Sequence, residues 1–321
     1  MTTTTMKTSS TEHPALIPNT GLDVVTGAFS YSGSAIAREL VRSGRAVRTL
    51  TGHPERSNGD DRGIQIYPLS FDDPVALARS LDGVSTLYNT YWVRFPHGRT
   101  SHDTAVANSR MLFQAAKHSG VQRIVHVSIT HPAISSPYPY FAGKARVERA
   151  LAETGVPFAI VRPAILFGDR GVLLNNIAWL LRHLPVFAIA GKGNYRVRPI
   201  HVDDLARLCV ELGAGDVDVI VDALGPENPT FNELVAIIRD AVGSRSRIVN
   251  APAHLVVLAA TMIGRILHDV LLSREELFAM MGGLADSSAD STGEISVSTW
   301  IAEHGDELGR SYLNELDLHF R

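Results

Sequence analysis

The chain has 321 residues, of which 45% are hydrophobic and 20% charged, a balance that suits one nucleotide-sized domain plus a smaller appendage. A formal net charge of -3 with dispersed arginines excludes the sustained basic stripe by which proteins track nucleic-acid phosphates. The single cysteine, Cys209, excludes an intramolecular disulfide and a multi-cysteine metal site. Its place in DLARLCVEL reads as a buried thiol in a reducing cytoplasm. The thirteen histidines show no paired ligand spacing, so no metal is expected.

Residues 1 to 20 are rich in Thr, Ser and Pro and lack an apolar core of signal-peptide length, which reads as a disordered tail without an export signal. The run LDVVTGAFSYSGSAIARELVRSG then gives a short apolar strand, a Gly-rich turn and an amphipathic helix, and AVRTLT follows as a second strand. Gly27 and Gly33 stand where a tight turn and close helix-to-strand packing exclude a side chain. A helix opening near Ser32 aims its free N–H groups at a pyrophosphate. The middle glycine of such loops is Ser30 here, whose hydroxyl is a phosphate donor. At the end of the second strand, in LTGHPER, the residues that directly follow the strand, Gly52 and His53, put no carboxylate at its terminus to accept ribose hydroxyls. Thr51, His53 and Arg56 are the groups available to a 2′-phosphate, which favours NADP(H), with NAD(H) as the alternative.

Alternation continues through GIQIYPL, the helix DDPVALARSL, STLYNTY, the helix in DTAVANSRMLFQAAKHSG, and RIVHVSI. Strands apolar at nearly every position and separated by helices imply a parallel sheet covered on both faces. Gly27, Asn89, Ser128 and Thr130 all fall at strand ends, where such sheets bind ligands. After Pro139 the periodicity is helical, so Tyr140 and Lys144 lie one turn apart on one face. An ammonium beside a phenol favours phenolate, and the expectation is that Lys144 pulls Tyr140 down toward working pH for proton transfer.

Residues 166 to 200 form an apolar helix and a Gly-rich return over the nicotinamide end, with Asn175 and Asn176 as polar candidates. Asp203, at a strand-to-helix junction, reads as a helix cap rather than a catalyst. After VDVIVDAL come the helices FNELVAIIRDAVG and SREELFAMMGGL, the polar loop ADSSADSTGEIS, and a last helix over WIAEHGDELGRSYLNEL. The run HLVVLAATMIGRILHDVLL is broken by Arg265, His268 and Asp269 before reaching the roughly 20 residues of a spanning helix. It reads as a buried amphipathic helix, peripheral membrane contact being the alternative use of its stripe.

The combination TGAFSYSG, Asn89-Thr90-Tyr91, HVSIT, the Tyr140 to Lys144 pair, FAIVRPAILFG and RVRPIHVDDLA resembles the extended and atypical short-chain dehydrogenase/reductase superfamily. Over residues 22 to about 225 it is most similar to the NAD(P)-binding epimerase/dehydratase and NmrA-like branches, which include proteins similar to the 39 kDa subunit of respiratory complex I. The resemblance implies an α/β fold: a Rossmann doubly wound parallel sheet over 21–165, with 195–224 returning to it. A smaller, mainly helical substrate domain takes 166–194 and 225–321. It maps Gly27, Ser30 and Gly33 to the dinucleotide loop, Tyr140 to the catalytic acid/base and Lys144 to the nicotinamide ribose. Phe29, Tyr31, Asn89, Tyr91 and Pro163 are assigned to the same cofactor site. The family's Gly-Asp after the third strand is Leu69-Ser70 here, leaving Phe71 to meet the adenine. Ser128 matches the spacing of compact members and Thr130 that of sugar-nucleotide members, so both stand as the catalytic hydroxyl. The implied function is that of an NAD(P)-dependent oxidoreductase or epimerase, by hydride transfer to or from a carbonyl or alcohol carbon of a small molecule, with an oligomer possible. The competing class is a non-catalytic NAD(P)-binding sensor or assembly protein.

Overall fold

In a computed structural model, residues 21–56, 63–96, 98 and 100–320 are described; the tail expected over 1–20 lies outside them. In chain order the elements are β1 (Leu22–Thr26), α1 (Tyr31–Arg42), β2 (Ala46–Thr51), β3 (Ile64–Pro68), α2 (Pro74–Arg79), β4 (Val84–Asn89), α3 (His102–His118), β5 (Arg123–Val127), α4 (Pro139–Ala152), β6 (Phe158–Pro163) and β7 (Ile165–Phe167). Then come α5 (Val172–His183), β8 (Val186–Ala190), β9 (Pro199–His201), α6 (Val202–Gly213), β10 (Val219–Ala223), α7 (Phe231–Ala241), β11 (Arg247–Ala251), α8 (Ala253–Leu267), α9 (Arg274–Met281), α10 (Val297–His304) and α11 (Glu315–Phe320).

Seven strands form one sheet in the order β10-β6-β5-β4-β1-β2-β3, every neighbouring pair parallel. The chain moves outward from β1 in one direction through β2 and β3, then crosses back to β4. The strand order therefore reverses beside β1, which opens a crevice at the carboxyl ends of β1 and β4. One face is covered by α1 and α6, with Ile36, Leu40, Leu205 and Cys209 buried against Val25 and Val125. The other carries α2, α3 and α4, with Leu77, Leu112, Phe113, Val147 and Leu151 against Leu87 and Ile124. Each such side chain taken out of water stabilises the fold by about 1.5–3 kcal/mol, which is why the strands are apolar on both faces and do not alternate.

A second core gathers α5, α7 and α10 around Phe167, Leu181, Leu234, Ile238, Trp300 and Ile301. Beside it β8 and β11 pair in parallel, and β7 pairs with β9. Helix α7 opens with a capping box between Thr230 and Glu233, and Ser273 and Glu276 form another at the start of α9.

Two expectations are corrected here. The helix expected over residues 300–316 stops at His304 and resumes only at Glu315. A Cβ on Gly305 would stand 2.5 Å from the Ala241 carbonyl oxygen, and Gly309 turns at φ +71. Both glycines bend the chain to fit its neighbours. Helix α8 is not a buried helix: Val256, Ala260 and Gly264 face inward, while Leu255, Leu258, Met262 and Ile266 are 48–76% exposed. No helix among the described residues is long and apolar enough to cross a membrane.

Candidate active site

The crevice measures about 2020 Å3, well beyond the roughly 300–1,000 Å3 of a pocket for one small molecule. Its floor begins at the β1–α1 turn. Gly27 adopts φ +68, a conformation that favours glycine, and a Cβ on Gly33 would stand 2.1 Å from the Gly27 carbonyl oxygen. The turn is pinned across β2, where the Gly27 N–H donates to the Leu50 carbonyl at 2.8 Å and the Ala28 N–H to Thr49 Oγ1 at 3.0 Å. The Ser30 hydroxyl does not reach outward, as expected of a phosphate donor; it donates to the Gly27 carbonyl at 2.7 Å. Tyr31 supplies the free donor instead. Its hydroxyl is buried without a hydrogen-bond partner among the described residues, and burial, Asp169 and Asp203 push its pKa up, so the O–H stays protonated.

At the β2 end, Thr51 Oγ1 accepts from the His53 N–H at 3.0 Å, and His53 Nδ1 lies 3.0 Å from Glu55. Arg56 Nη1 donates to the Leu318 carbonyl at 2.6 Å, so the chain's last helix is fastened at this rim. Phe71 and Tyr91 pack with ring centroids 4.9 Å apart, and Tyr91 Oη accepts from Asn108 at 2.8 Å. Phe29, Tyr31, Thr51, His53, Arg56, Phe71, Tyr91 and Pro163 all line the crevice.

Asn89 does not line it. Fully buried, it accepts from Thr26 Oγ1 at 3.1 Å and from the Tyr91 N–H at 3.1 Å, and its amide meets His126 Nδ1 at 3.0 Å. Burial and the nearby Lys144 hold His126 well below its ordinary pKa, so a neutral Nδ1 accepts from the Asn89 Nδ2. Asn89 thus ties three strand ends together beneath the floor rather than touching a cofactor.

The two candidate hydroxyls part company. Ser128, 4% exposed, lines the crevice with a buried Oγ that has no partner among the described residues. Thr130 Oγ1 donates to the Leu284 carbonyl at 2.8 Å and is held away from the crevice by that bond.

Tyr140 and Lys144 project from the first turns of α4, which Pro139 opens. The Tyr140 ring meets Trp92 edge-on at 5.7 Å and 82° and His102 at 5.8 Å and 84°. Lys144 Nζ donates to the Val127 carbonyl at 2.8 Å and stands 4.8 Å from the Trp92 ring centroid. The expected electrostatics are corrected. Burial pushes the Tyr140 phenol up to about 12, and the charge that opposes burial is Arg94, with Glu276 and Glu315 adding to the rise. Lys144 is not the group that lowers it. Burial brings Lys144 itself down to about 7, against the pull of Glu148.

The Arg94 cluster escapes sequence reasoning. Arg94 reaches Glu276 from Nε at 3.0 Å and Nη2 at 2.9 Å, and it pairs with Glu315 through Nη1. Its partners lie 182 and 221 residues away, and no local pattern announces them. Asn175 and Asn176 are likewise spent on the C-terminal segment: Asn175 accepts from the Gly309 N–H at 3.0 Å, and Asn176 donates to the Leu313 carbonyl at 2.9 Å. Asp203 is not the helix cap; His201 Nδ1 accepts from the Asp203 N–H at 3.2 Å, and Asp203 pairs with Arg38. No group of three or more His, Cys, Asp or Glu among the described residues is arranged to hold a metal.

The residues fit a dinucleotide: a glycine cradle closed to any Cβ, a buried orphan phenol beside the helix N-terminus, and a buried orphan hydroxyl at the far end. Residues 27–178 match the NAD(P)H-binding family model. This stretch carries an NAD(P)H-binding Rossmann domain. It is 24% identical over 247 residues to NADH dehydrogenase [ubiquinone] 1 alpha subcomplex subunit 9 of Arabidopsis thaliana, covering 71% of this chain and 60% of that one, less than two thirds of that relative's length. The NADH-ubiquinone oxidoreductase 40 kDa subunit of Neurospora crassa is 24% identical over 265 residues, 79% of this chain and 68% of that subunit. Among solved structures, the NADPH-dependent quinone oxidoreductase QOR2 of Escherichia coli, complexed with NADPH, has TM-score 0.73 at 21% identity, covering 89% of this chain and 99% of that one. The triphenylmethane reductase of Citrobacter sp., complexed with NADP(H), has TM-score 0.73 at 17% identity, covering 88% and 99%. These likenesses establish the fold.

Proposed function

We propose that this protein is an NAD(P)-dependent oxidoreductase that reduces a carbonyl carbon of a small molecule, with Tyr140 as proton donor. The observation that carries the proposal is the convergence of Tyr140, Lys144 and the orphan Ser128 hydroxyl on one crevice. Bound NAD(P)H supplies the hydride. Ser128 donates a hydrogen bond to the substrate oxygen, on which negative charge grows as the carbon is reduced. Tyr140, protonated at neutral pH because burial lifts its pKa to about 12, delivers the proton that makes the alcohol. Lys144 braces the end of β5 through the Val127 carbonyl and stands ready for a ribose hydroxyl. A phenol this weakly acidic suits reduction better than oxidation, which needs the phenolate. NADP(H) is the favoured cofactor, since the β2 end presents Thr51, His53 and Arg56 and no carboxylate at the strand terminus; Arg56 engages the 2′-phosphate by exchanging its hold on Leu318. A reducing compartment such as the cytoplasm suits the lone buried Cys209.

A non-catalytic NAD(P)-binding assembly or sensor role is the second reading, favoured by the similarity to the respiratory-complex subunits. Tyr140→Phe separates the two. The variant keeps the ring contacts and removes the transferable proton, so single-turnover hydride transfer over a panel of carbonyl compounds is expected to fall about 10²-fold or more. NADPH affinity, measured by calorimetry, is expected to stay unchanged. Turnover within a few-fold of wild type refutes Tyr140 as donor, and normal cofactor binding with no wild-type turnover across the panel favours the second reading.

A further inference from the structure

Helix α8 packs on β8 through a narrow strip, with Val256 joining Ala190 and Leu277 in a small core and Ala260 and Gly264 on the same inward side. The opposite side carries Leu255, Leu258, Met262 and Ile266, at positions i, i+3, i+7 and i+11, exposed by 48, 57, 57 and 76%. Among the described residues no other element exposes more than two large hydrophobic side chains. Singly exposed apolar residues need no explanation, but a row of four along one helix does.

The charges around this row are one-sided. From Ala241 to His268 the sequence holds Arg245, Arg247, Arg265, His254 and His268, and no Asp or Glu, in a chain whose net charge is -3. All five side chains are exposed. Asp269, the next acid, is buried and occupied by Tyr312 and the N–H groups of Glu315 and Leu316. Strand β8 brings no acid, the exposed Arg274 and Glu275 of α9 cancel, and the segment of α11, fastened to the end of α8 by Asn314 on the Leu267 carbonyl, adds one exposed acid, Asp317. A row of exposed apolar side chains beside this excess of basic ones suits a surface that is both apolar and anionic.

We propose that α8 is a membrane-surface helix: it lies in the plane of an anionic bilayer with Leu255, Leu258, Met262 and Ile266 in the acyl boundary and Arg265 at the headgroups, Arg245 and Arg247 before the helix adding to the basic charge of this segment. Its 15 residues span about 22 Å, too short to cross the roughly 30 Å hydrocarbon core, which fixes the helix as interfacial. The inference does not depend on the proposed reaction.

The test is co-sedimentation of the full chain with large unilamellar vesicles of phosphatidylcholine alone or with about a third phosphatidylglycerol. Wild type is expected to bind the anionic vesicles, more weakly as NaCl is raised, and to bind the neutral ones several-fold less. The double variant Leu258→Asp, Met262→Asp removes two exposed apolar groups and is expected to lose about 10²-fold in partitioning; Arg265→Glu is expected to lose about 5-fold or more. NADPH binding and unfolding temperature, followed in the same variants, should not move. Three outcomes overturn the proposal. Wild type fails to bind anionic vesicles. The double variant binds them as wild type does, which reduces the effect to diffuse charge. Or sedimentation shows wild type self-associating through the same four residues, so that a second copy covers the helix.

Discussion

Replacing Lys144 by Met tests the electrostatics of the site without any substrate. The ammonium is 3% exposed and burial lowers its pKa from 10.5 to about 7, a displacement worth about 5 kcal/mol at ~1.36 kcal/mol per pH unit. Below pH 7 the group is charged in both folded and unfolded chains, and the folded state bears the whole desolvation cost. Above pH 7 the folded protein sheds the proton while the unfolded chain keeps it, so the unfolded state binds more protons and stability rises with pH toward 10.5. Methionine has no charge to lose, and the variant lacks this rise. It also forfeits the bond to the Val127 carbonyl and the contact over Trp92, each worth about 1 kcal/mol. At pH 6 the variant is therefore expected to be about 3 kcal/mol more stable than wild type, a lead that shrinks by about 1.4 kcal/mol per unit between pH 7 and 9. Urea denaturation of both proteins without cofactor at pH 6, 7, 8 and 9 gives the difference directly, cancelling the titrating groups that Lys144 does not influence. A difference that stays flat over this range means that Lys144 remains charged in the folded protein, and the reasoning fails.

Ser128→Ala removes a hydroxyl with no partner among the described residues, so its unfolding temperature should hold while turnover falls about 10²-fold; Thr130→Val should do the reverse, costing about 1–3 kcal/mol by stranding the Leu284 carbonyl. Kinetics and calorimetry on the pair check which hydroxyl serves the reaction. Gly33→Ala forces a methyl into the Gly27 carbonyl, against backbone that has no room to yield, and should abolish binding of both NADPH and NADH in equilibrium dialysis; retained affinity would remove this loop from the site. Arg56→Ala should narrow any preference for NADPH over NADH, measured by titration with each, and an undiminished gap would assign the 2′-phosphate elsewhere.

The sheet was legible because its strands are apolar at most positions and its glycines mark turns that a Cβ cannot enter. Tyr140 and Lys144 were legible because helical spacing is a local property. What lay beyond reach depended on where distant segments land. Asn89 and Thr130 sit at strand ends like the site residues around them, yet their polar atoms are taken up by Thr26, His126 and the Leu284 carbonyl. The direction of the Tyr140 shift turned on burial and on Arg94, Glu276 and Glu315, none of them near it in sequence. Helix α8 carries an apolar stripe that periodicity reports correctly, but periodicity does not say which side of a helix its neighbours cover.

The grip of Arg56 on Leu318, across 262 residues, fixes an order of events in folding. Strands β1 to β6, with the Gly27–Gly33 turn, come from residues 22–163 and can pair once that stretch is made, since every pair among them except β1 with β4 joins strands consecutive in the chain. The rim is another matter. Leu318 and Glu315 follow all of these strands in the chain, and their docking on Arg56 and Arg94 closes loops of 262 and 221 residues, a slow step by comparison with local pairing. A cradle for pyrophosphate thus exists before the wall that encloses it, and the nascent domain passes through a stage in which the dinucleotide loop is formed and the crevice is open to water along its whole length.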